Sequence, residues 1–447
     1  MKTLSVDFAR TVGRIKPMHG VGHAPFLGMK YFDPMDHLVR AGIPFVRLHD
    51  MGLTQLVGPH LVDVPNIFPD FDADEHDPDS YDFAFTDRLI AALAERGLNL
   101  VYRLGVSIEN YQDIRAYRIH PPKDFPKWAR ICEHIVRHYN EGWADGFHYG
   151  IRYWEIWNEP ENAMVGKNQM WTGTAEQFYE LYATTASHLK ACFGDSVMVG
   201  GYAASGLYGA LGYPERFGWR GEPIADRRYQ HEREIMRIEF LQGFLSYIKE
   251  RKAPLDFFSW HSYVDVEETA EMAEYLRALM ERYGYGEVET HLNEWNNSPR
   301  YGIKRGTSAA EAKAAAMLLR MQDSPTDVLC YYQAGVIAIG YDGMFDPVTF
   351  QPYPLYDSFL AFDELYRMGE QCEVKGTEKG FYAVAAKGEA SLGLMCVNVT
   401  GEAQTVKTNL TGDFSVWLLD AEHRYVKTDL NPSEFSLAND QVAMVKN

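Results

Sequence analysis

The stretch Tyr153-Trp154-Glu155-Ile156-Trp157-Asn158-Glu159-Pro160 reads as a short apolar strand that ends in Asn-Glu and is stopped by proline, which cannot continue a hydrogen-bonded ladder. Downstream, Thr174–Phe193 carries a helical pattern and Val197–Tyr202 is a second short strand bounded by turn residues. Strand, helix and strand in succession imply parallel pairing through a right-handed crossover. The unit recurs in both directions. Candidate strands are Gly20–His23, Pro44–His49, Leu98–Val106, Tyr153–Asn158, Val197–Tyr202, Phe257–Tyr263, Val288–Trp295 and Leu329–Ala334. Helical patterns cover Met35–Arg40, Asp82–Arg96, Phe125–Tyr139, Thr174–Phe193, Glu232–Arg251, Glu267–Tyr283, Thr307–Gln322 and Leu355–Met368. In Asp82–Arg96 the apolar residues Phe85, Leu89, Ile90 and Leu93 recur before Gly97, a C-cap signal. Eight strand–helix units predict a closed (β/α)₈ TIM barrel over residues 19–368. The alternative, an open doubly wound sheet, would carry a phosphate loop, and Gly20-Val21-Gly22 does not extend to G-x-G-x-x-G.

After Gly369 the texture changes. Gly380–Ala386, Ser391–Thr400 and Phe414–Asp420 alternate in period two between turn residues, without helical stretches. Leu4-Ser5-Val6-Asp7-Phe8 alternates likewise and is expected to join them. Residues 1–18 with 369–447 are therefore expected to form a small antiparallel β-sandwich packed on the barrel without a linker.

The 447 residues carry 43 Lys+Arg against 62 Asp+Glu, a formal net charge of −19. That balance speaks for solubility and against a nucleic-acid partner, which needs clustered cations. No apolar run is long enough to span a bilayer, so no membrane is expected. Cys132, Cys192, Cys330, Cys372 and Cys396 are odd in number and widely spaced, and no C-x-x-C occurs, so neither a disulfide framework nor a zinc knuckle is indicated. With an N-terminus lacking an apolar signal segment, this points to the cytoplasm, or to secretion had a leader been removed.

In a barrel, reactive groups come from the C-terminal ends of strands. Glu159 ends the fourth strand, and Glu294, in His291-Leu292-Asn293-Glu294-Trp295-Asn296-Asn297, ends the seventh. Two carboxylates facing each other across a barrel mouth suit glycoside hydrolysis, in which one protonates the leaving oxygen while the other attacks or activates water. Aromatic neighbours raise a carboxyl pKa and cover the C–H faces of sugars. Either carboxylate taken singly reads equally well as a helix cap.

The Trp-Asn-Glu-Pro turn at 157–160 and Asn-Glu-Trp-Asn at 293–296 resemble the clan A glycoside hydrolases. More narrowly the chain is similar to glycoside hydrolase family 39, the β-xylosidase and α-L-iduronidase family. The narrower likeness rests on Val46-Arg47-Leu48-His49, Pro121-Pro122-Lys123-Asp124-Phe125-Pro126-Lys127-Trp128 and Ser259-Trp260-His261-Ser262-Tyr263. The resemblance implies Glu159 as general acid/base, Glu294 as nucleophile and a covalent glycosyl-enzyme with carboxyls ~5–5.5 Å apart. It also implies Asn158 at the sugar 2-hydroxyl, His49, His261 and Tyr263 lining the glycone pocket, and Trp295 beside them. Tyr332 stands where the family usually has Trp, and His49 is followed by Asp50-Met51-Gly52 where the family's strand two usually ends His-Gly with acidic residues soon after. Arg47 keeps Glu294 ionised or forms a structural ion pair within the barrel. The expected partner is an oligosaccharide or glycoside, with no cofactor and no metal. A homo-oligomer is left open, and the 205–233 segment, with Tyr213, Phe217, Trp219 and Arg220, suits a substrate wall or an oligomer contact.

Other signals carry less. His134 and His138 are four apart on a helix but lack a third ligand, and Gly105-Val106-Ser107-Ile108-Glu109 departs from the serine-hydrolase elbow. The competing readings are a metal-dependent barrel hydrolase using His19 and His23 with His261 or Asp50, and a non-catalytic glycan-binding barrel.

Overall fold

The computed structural model describes residues 1–26, 34–49, 61–107, 119–163, 168–212, 232–296, 305–335 and 343–447. The Asp50-Met51-Gly52 departure, Glu109, Asn297 and the aromatic and basic residues at 213, 217, 219 and 220 lie outside the described residues.

After a long first strand, β1 (Lys2–Arg14), come β2 (Gly20–Gly22), β3 (Val46–Leu48), β4 (Leu100–Leu104), β5 (Tyr153–Ile156), β6 (Met198–Ala204), β7 (Phe257–Ser262), β8 (Glu289–Trp295) and β9 (Val328–Tyr331). Strands β2 to β9 close a parallel barrel in chain order, sealed by Val21 pairing with Tyr331. Each predicted barrel strand is present, with ends moved by up to three residues. Closure requires close backbone approach: a Cβ on Gly200 of β6 would sit 2.1 Å from the Phe257 carbonyl oxygen of β7.

The helices are α1 (Met35–Arg40), α2 (Val64–Ile67), α3 (Ala84–Ala94), α4 (Phe125–Glu141), α5 (Ala175–Phe193), α6 (Tyr208–Gly212), α7 (Glu232–Arg251), α8 (Val266–Tyr283), α9 (Ser308–Gln322) and α10 (Leu355–Met368). Helices α2 and α6 are too short to show a period in sequence. The starts of α4, α5, α8 and α9 carry side-chain caps, each worth about 1 kcal/mol. Asp124 accepts from the Lys127 amide at 2.9 Å, and Thr174 and Gln177 bond reciprocally. The buried face of α3 is Thr86, Leu89, Ile90 and Leu93, an i, i+3, i+4, i+7 set. Phe85, expected in that stripe, is one residue out of phase and 54% exposed. Gly97, just past α3, adopts φ +74°, the left-handed conformation its C-cap reading required.

The remaining strands are β10 (Glu370–Lys375), β11 (Phe381–Lys387), β12 (Leu392–Asn398), β13 (Gln404–Thr408), β14 (Ser415–Leu419), β15 (Arg424–Lys427), β16 (Glu434–Leu437) and β17 (Gln441–Lys446). They and β1 form one continuous array in the order β15-β14-β17-β12-β11-β10-β1-β13-β16. The N-terminal segment joins it as expected, but it is longer than the predicted strand. Its first residues pair parallel with β13, while Ser5–Arg14 pair antiparallel with β10 across two register breaks, so the sandwich is mixed rather than purely antiparallel. By bridging both halves, β1 folds the array over a core that includes Leu4, Val6, Phe381, Cys396, Val406 and Phe435.

Strands β11, β12 and β17 are buried on both faces. Phe381, Ala383 and Ala385 point into the sandwich, whereas Tyr382, Val384 and Ala386 belong to the barrel's core. That is the docking surface for α9 and α10. Hydrogen bonds flank it: Lys446 Nζ donates to Glu364 at 2.6 Å, Tyr382 OH to Glu267 at 2.6 Å, and Arg424 pairs with Asp357. Among the described residues, no helix is long and apolar enough to cross a membrane.

Candidate active site

A cation inside an apolar strand core must find its counter-charge within the barrel. Arg47, in the middle of β3, is 1% exposed. Its Nε donates to Glu155 Oε2 at 2.7 Å, Nη1 to Glu294 Oε1 at 2.6 Å and Nη2 to Asn158 Oδ1 at 2.6 Å. One guanidinium thus joins β3, β5 and β8. Burial alone would lower its pKa, but Glu155 and Glu294 outweigh that and raise it. In this geometry Arg47 is buried in ion pairs with both Glu155 and Glu294. The other Glu155 oxygen accepts from Asn293 Nδ2.

Glu159 is brought to the same place by a different route. Trp157 and Glu159 take φ +73° and +45°, left-handed conformations that cost a non-glycine residue roughly 1–3 kcal/mol each. Surrounding bonds over-determine the turn. Trp157 N donates to Leu104 O at 2.7 Å, Trp157 Nε1 to Met170 O at 2.9 Å and Glu159 N to Ala203 O at 3.0 Å. The Glu159 side chain, 15% exposed, accepts from Asn162 Nδ2 at 2.6 Å and lies 2.7 Å from His261 Nδ1. Arg237 of α7 stands behind, donating to the Asn162 carbonyl at 2.9 Å.

His261 Nδ1 also lies 3.4 Å from Glu294 Oε2, which accepts from Tyr263 OH at 2.6 Å. One oxygen of Glu159, one of Glu294 and a His261 nitrogen all fall within 4.8 Å of one another. Burial would lower the His261 pKa, but Glu294 and Glu159 outweigh it and raise it. By the same contact, burial would raise Glu159, yet His261, with Arg237 and Asn162, holds its pKa below the usual glutamate value. Both shifts favour an imidazolium paired with a carboxylate. These three ligand atoms also form a geometry that a cation can enter, with Arg47 already on the Glu294 side.

His49 sits 3.9 Å from Glu294. Its Nδ1 accepts from Arg103 Nε at 3.1 Å, which assigns the ring proton to Nε2, facing Glu294. Burial, then Arg103 and Arg47, push its pKa well down, so it is a neutral donor. Arg103 is itself held by Asp63 at 2.5 Å, and Ser107 donates to Asp63 through N and Oγ, both at 2.8 Å.

The structure therefore gathers Glu159, Glu294, Asn158, Arg47, His49, His261 and Tyr263 at one end of the barrel. Tyr332 is nearby, its ring 6.3 Å from His23, and its carbonyl accepts from Asn296 at 2.5 Å. Trp295 is placed differently from expectation. Adjacent to Glu294 on an extended strand, it faces the other way, is fully buried and packs edge-on against Tyr331 at 5.0 Å. It packs in the hydrophobic core. His19 also leaves the picture: it is buried beside Gly42, Asp363, Phe362 and Tyr366, on the side where β2 begins, so the metal site proposed from it does not assemble. His134 and His138 are packing residues, the latter stacked on Phe83 at 3.6 Å.

Sequence reading missed Glu155, Asn162, Arg103 and Asp63. The signal for Arg103 and Glu155 is the one Arg47 carries, a single charge flanked by apolar residues inside a strand. Asn162 had none, because its contact depends on the turn. Glu161 was also missed. Burial pushes its carboxyl up to about 7, and its Oε1 accepts from the Ser205 amide at 2.7 Å.

The sequence pattern of the family described as Glycosyl hydrolases family 39 matches residues 4–318, which include both Glu159 and Glu294. A β-xylosidase from Geobacillus stearothermophilus is 23% identical over 398 residues, covering 78% of this chain and 69% of that protein. The structure of a glucosidase from Croceicoccus marinus superposes with TM-score 0.76 at 23% identity, covering 100% of this chain and 98% of that one. A family 39 β-xylosidase from Caulobacter crescentus gives TM-score 0.68 at 14% identity, covering 100% and 99%.

Proposed function

The chain belongs to glycosyl hydrolases family 39, and from that premise we propose that it is a retaining exo-glycosidase releasing a terminal β-linked sugar, most simply β-D-xylose, from short oligosaccharides. The observation that carries this reading is the approach of one Glu159 oxygen and one Glu294 oxygen to within 4.8 Å, nearer than the ~6.5–9.5 Å that leaves room for water in an inverting pair.

In the first step a Glu294 oxygen bonds to the anomeric carbon as the glycosidic C–O bond breaks. Glu159 passes the proton it shares with His261 to the leaving oxygen, leaving Glu159 as the carboxylate and His261 neutral. In the second step Glu159 takes a proton from water, which attacks the anomeric carbon and frees Glu294. Arg47 and Tyr263 hold the nucleophile in position. Asn158 has its carbonyl oxygen committed to Arg47, leaving its amide NH₂ for the sugar 2-hydroxyl. His49 donates from Nε2 to a glycone hydroxyl, and Tyr332 with His23 walls the glycone. The substrate is a glycoside or oligosaccharide, and the five free cysteines support work in a reducing cytoplasm.

Replacing Glu294 with Ala is expected to lower turnover on the order of 10⁴-fold or more, with azide restoring it and inverting the anomer formed. Retention of wild-type rates by that variant would refute the mechanism. A second reading, another glycone on the same chemistry, is favoured by the glucosidase likeness. Aryl β-xyloside, α-arabinoside, β-glucoside, β-galactoside and α-iduronide compared by kcat/KM decide between them.

A further inference from the structure

Helices α4 and α5 pack side by side on the outside of the barrel, and their contact contains a group of side chains that glycoside hydrolysis does not use. His188 and Cys192 are one turn apart on α5, the spacing that sets two side chains on one helix face. Glu133 of α4 faces them. His188 Nε2 lies 2.6 Å from Glu133 Oε2 and 3.7 Å from Cys192 Sγ, and the three ligand atoms all fall within 4.8 Å of one another. Cys192 is in the last turn of α5, just before β6 begins, so the group is at the opposite end of the barrel from Glu159 and Glu294.

We propose that Glu133, His188 and Cys192 bind a zinc-class divalent cation that clasps α4 to α5. A tetrahedral zinc site with N, O and S ligands at ~2.0–2.3 Å keeps its ligand atoms roughly 3.3–3.7 Å apart. The sulfur–nitrogen distance already meets that requirement, and the carboxylate needs to retreat by less than about 1 Å. The donor set also fits: imidazole and thiolate are ligands for a borderline-soft ion, with water completing the fourth position. Arg137 fixes the carboxylate from behind. Its Nε donates to Glu133 Oε1 at 2.7 Å, leaving Oε2 turned toward His188, while its guanidinium lies 5.1 Å over the Phe193 ring. Access is open, since the His188 side chain is 30% exposed. Binding releases the Cys192 thiol proton to solvent, and the bound ion's two positive charges are balanced by thiolate and carboxylate.

Cobalt(II) is the spectroscopic probe. One equivalent added to the full-length protein is expected to produce a thiolate-to-cobalt charge-transfer band that zinc bleaches. Cys192→Ser and His188→Ala should each lose the band while retaining glycosidase activity. Independently, zinc should slow alkylation of Cys192 by about tenfold or more, read by mass spectrometry of the peptide. The cation-accessible cluster at the barrel mouth contains no sulfur, so its occupation gives neither signal. A cobalt spectrum identical in wild type and Cys192→Ser, or alkylation unaffected by zinc, overturns the proposal.

Discussion

At the end of β5 the chain turns through left-handed backbone at Trp157 and Glu159, and the carboxylate it presents meets an imidazole and an amide. At the end of β8 the chain stays extended to Trp295, and the carboxylate it presents meets a guanidinium and a phenol. The local sequences are nearly the same, Trp-Asn-Glu-Pro and Leu-Asn-Glu-Trp. What separates the two ends is what faces them. Glu294 is held by a fixed positive charge that cannot be titrated, whereas Glu159 shares a mobile proton with His261. The asparagines diverge too: Asn158 accepts from Arg47, and Asn293 donates to Glu155. On the proposed mechanism, an acid and a nucleophile arise from one motif because different groups face the two carboxylates.

The difference is broken most completely by Arg47→Met. It strands Glu155 and Glu294 as buried carboxylates without a counter-charge, and we expect about 3–5 kcal/mol lost from unfolding stability together with loss of activity. Chemical denaturation measures the first. An Arg47→Met protein of unchanged stability would mean that the clamp does not distinguish the two ends.

Glu159→Ala comes next. Substrates with poor leaving groups should slow by about 10²–10⁴-fold, while activated aryl glycosides lose far less in the glycosylation step. Equal losses on both would remove Glu159 from the acid role.

His261→Phe tests the shared proton. The contact holds the Glu159 pKa down and the His261 pKa up. Without it, the acid proton is held by the carboxyl alone, so the basic limb of kcat/KM, set in wild type by loss of the proton shared with His261, moves to lower pH, with activity falling about tenfold or more. The sign for stability follows from linkage. His261, raised in the fold, stabilises fully below its unfolded pKa, and that contribution is lost as pH rises through its folded pKa. Glu159, lowered in the fold, stabilises above its unfolded pKa and loses its contribution as pH falls through the folded one. Wild type should therefore exceed the variant most between the two, near pH 5–6, and least at high pH. A gap that widens toward alkaline pH would reverse the assignment.

The smallest effect is expected from Tyr263→Phe, which removes one of the bonds to Glu294 and leaves Arg47 in place. A loss of about 1–2 kcal/mol in transition-state stabilisation, or roughly 5–30-fold in kcat/KM, should appear with little change in KM.

The barrel was legible because its signal is repetitive. Each short apolar strand and the amphipathic helix after it repeat the same local chemistry, and Gly, Pro and capping residues mark the ends. The sandwich was legible only in outline. Strands such as Phe381–Lys387, read as period-two strands with one solvent face, in fact bury one face in their own core and the other against α9 and α10. That the first residues of β1 run parallel to β13 depends on a partner some 400 positions away, which no local pattern encodes.

In the site, the sequence by itself determined the two glutamates, since Asn-Glu at two strand ends of a predicted barrel already places both at one mouth. The resemblance to family 39 added Arg47, His49, His261 and Tyr263. Only the tertiary structure decided which glutamate Arg47 clamps, which nitrogen of His49 carries the proton, and that His261 reaches Glu159 and Glu294 together. Only there does Trp295, one residue from the nucleophile, prove to face the core. The physical reason is one of scale. Strand and helix periods are set by neighbours in sequence and survive in the sequence pattern. A proton's location is set by charges and hydrogen bonds within a few ångströms, supplied by residues scattered over the whole barrel.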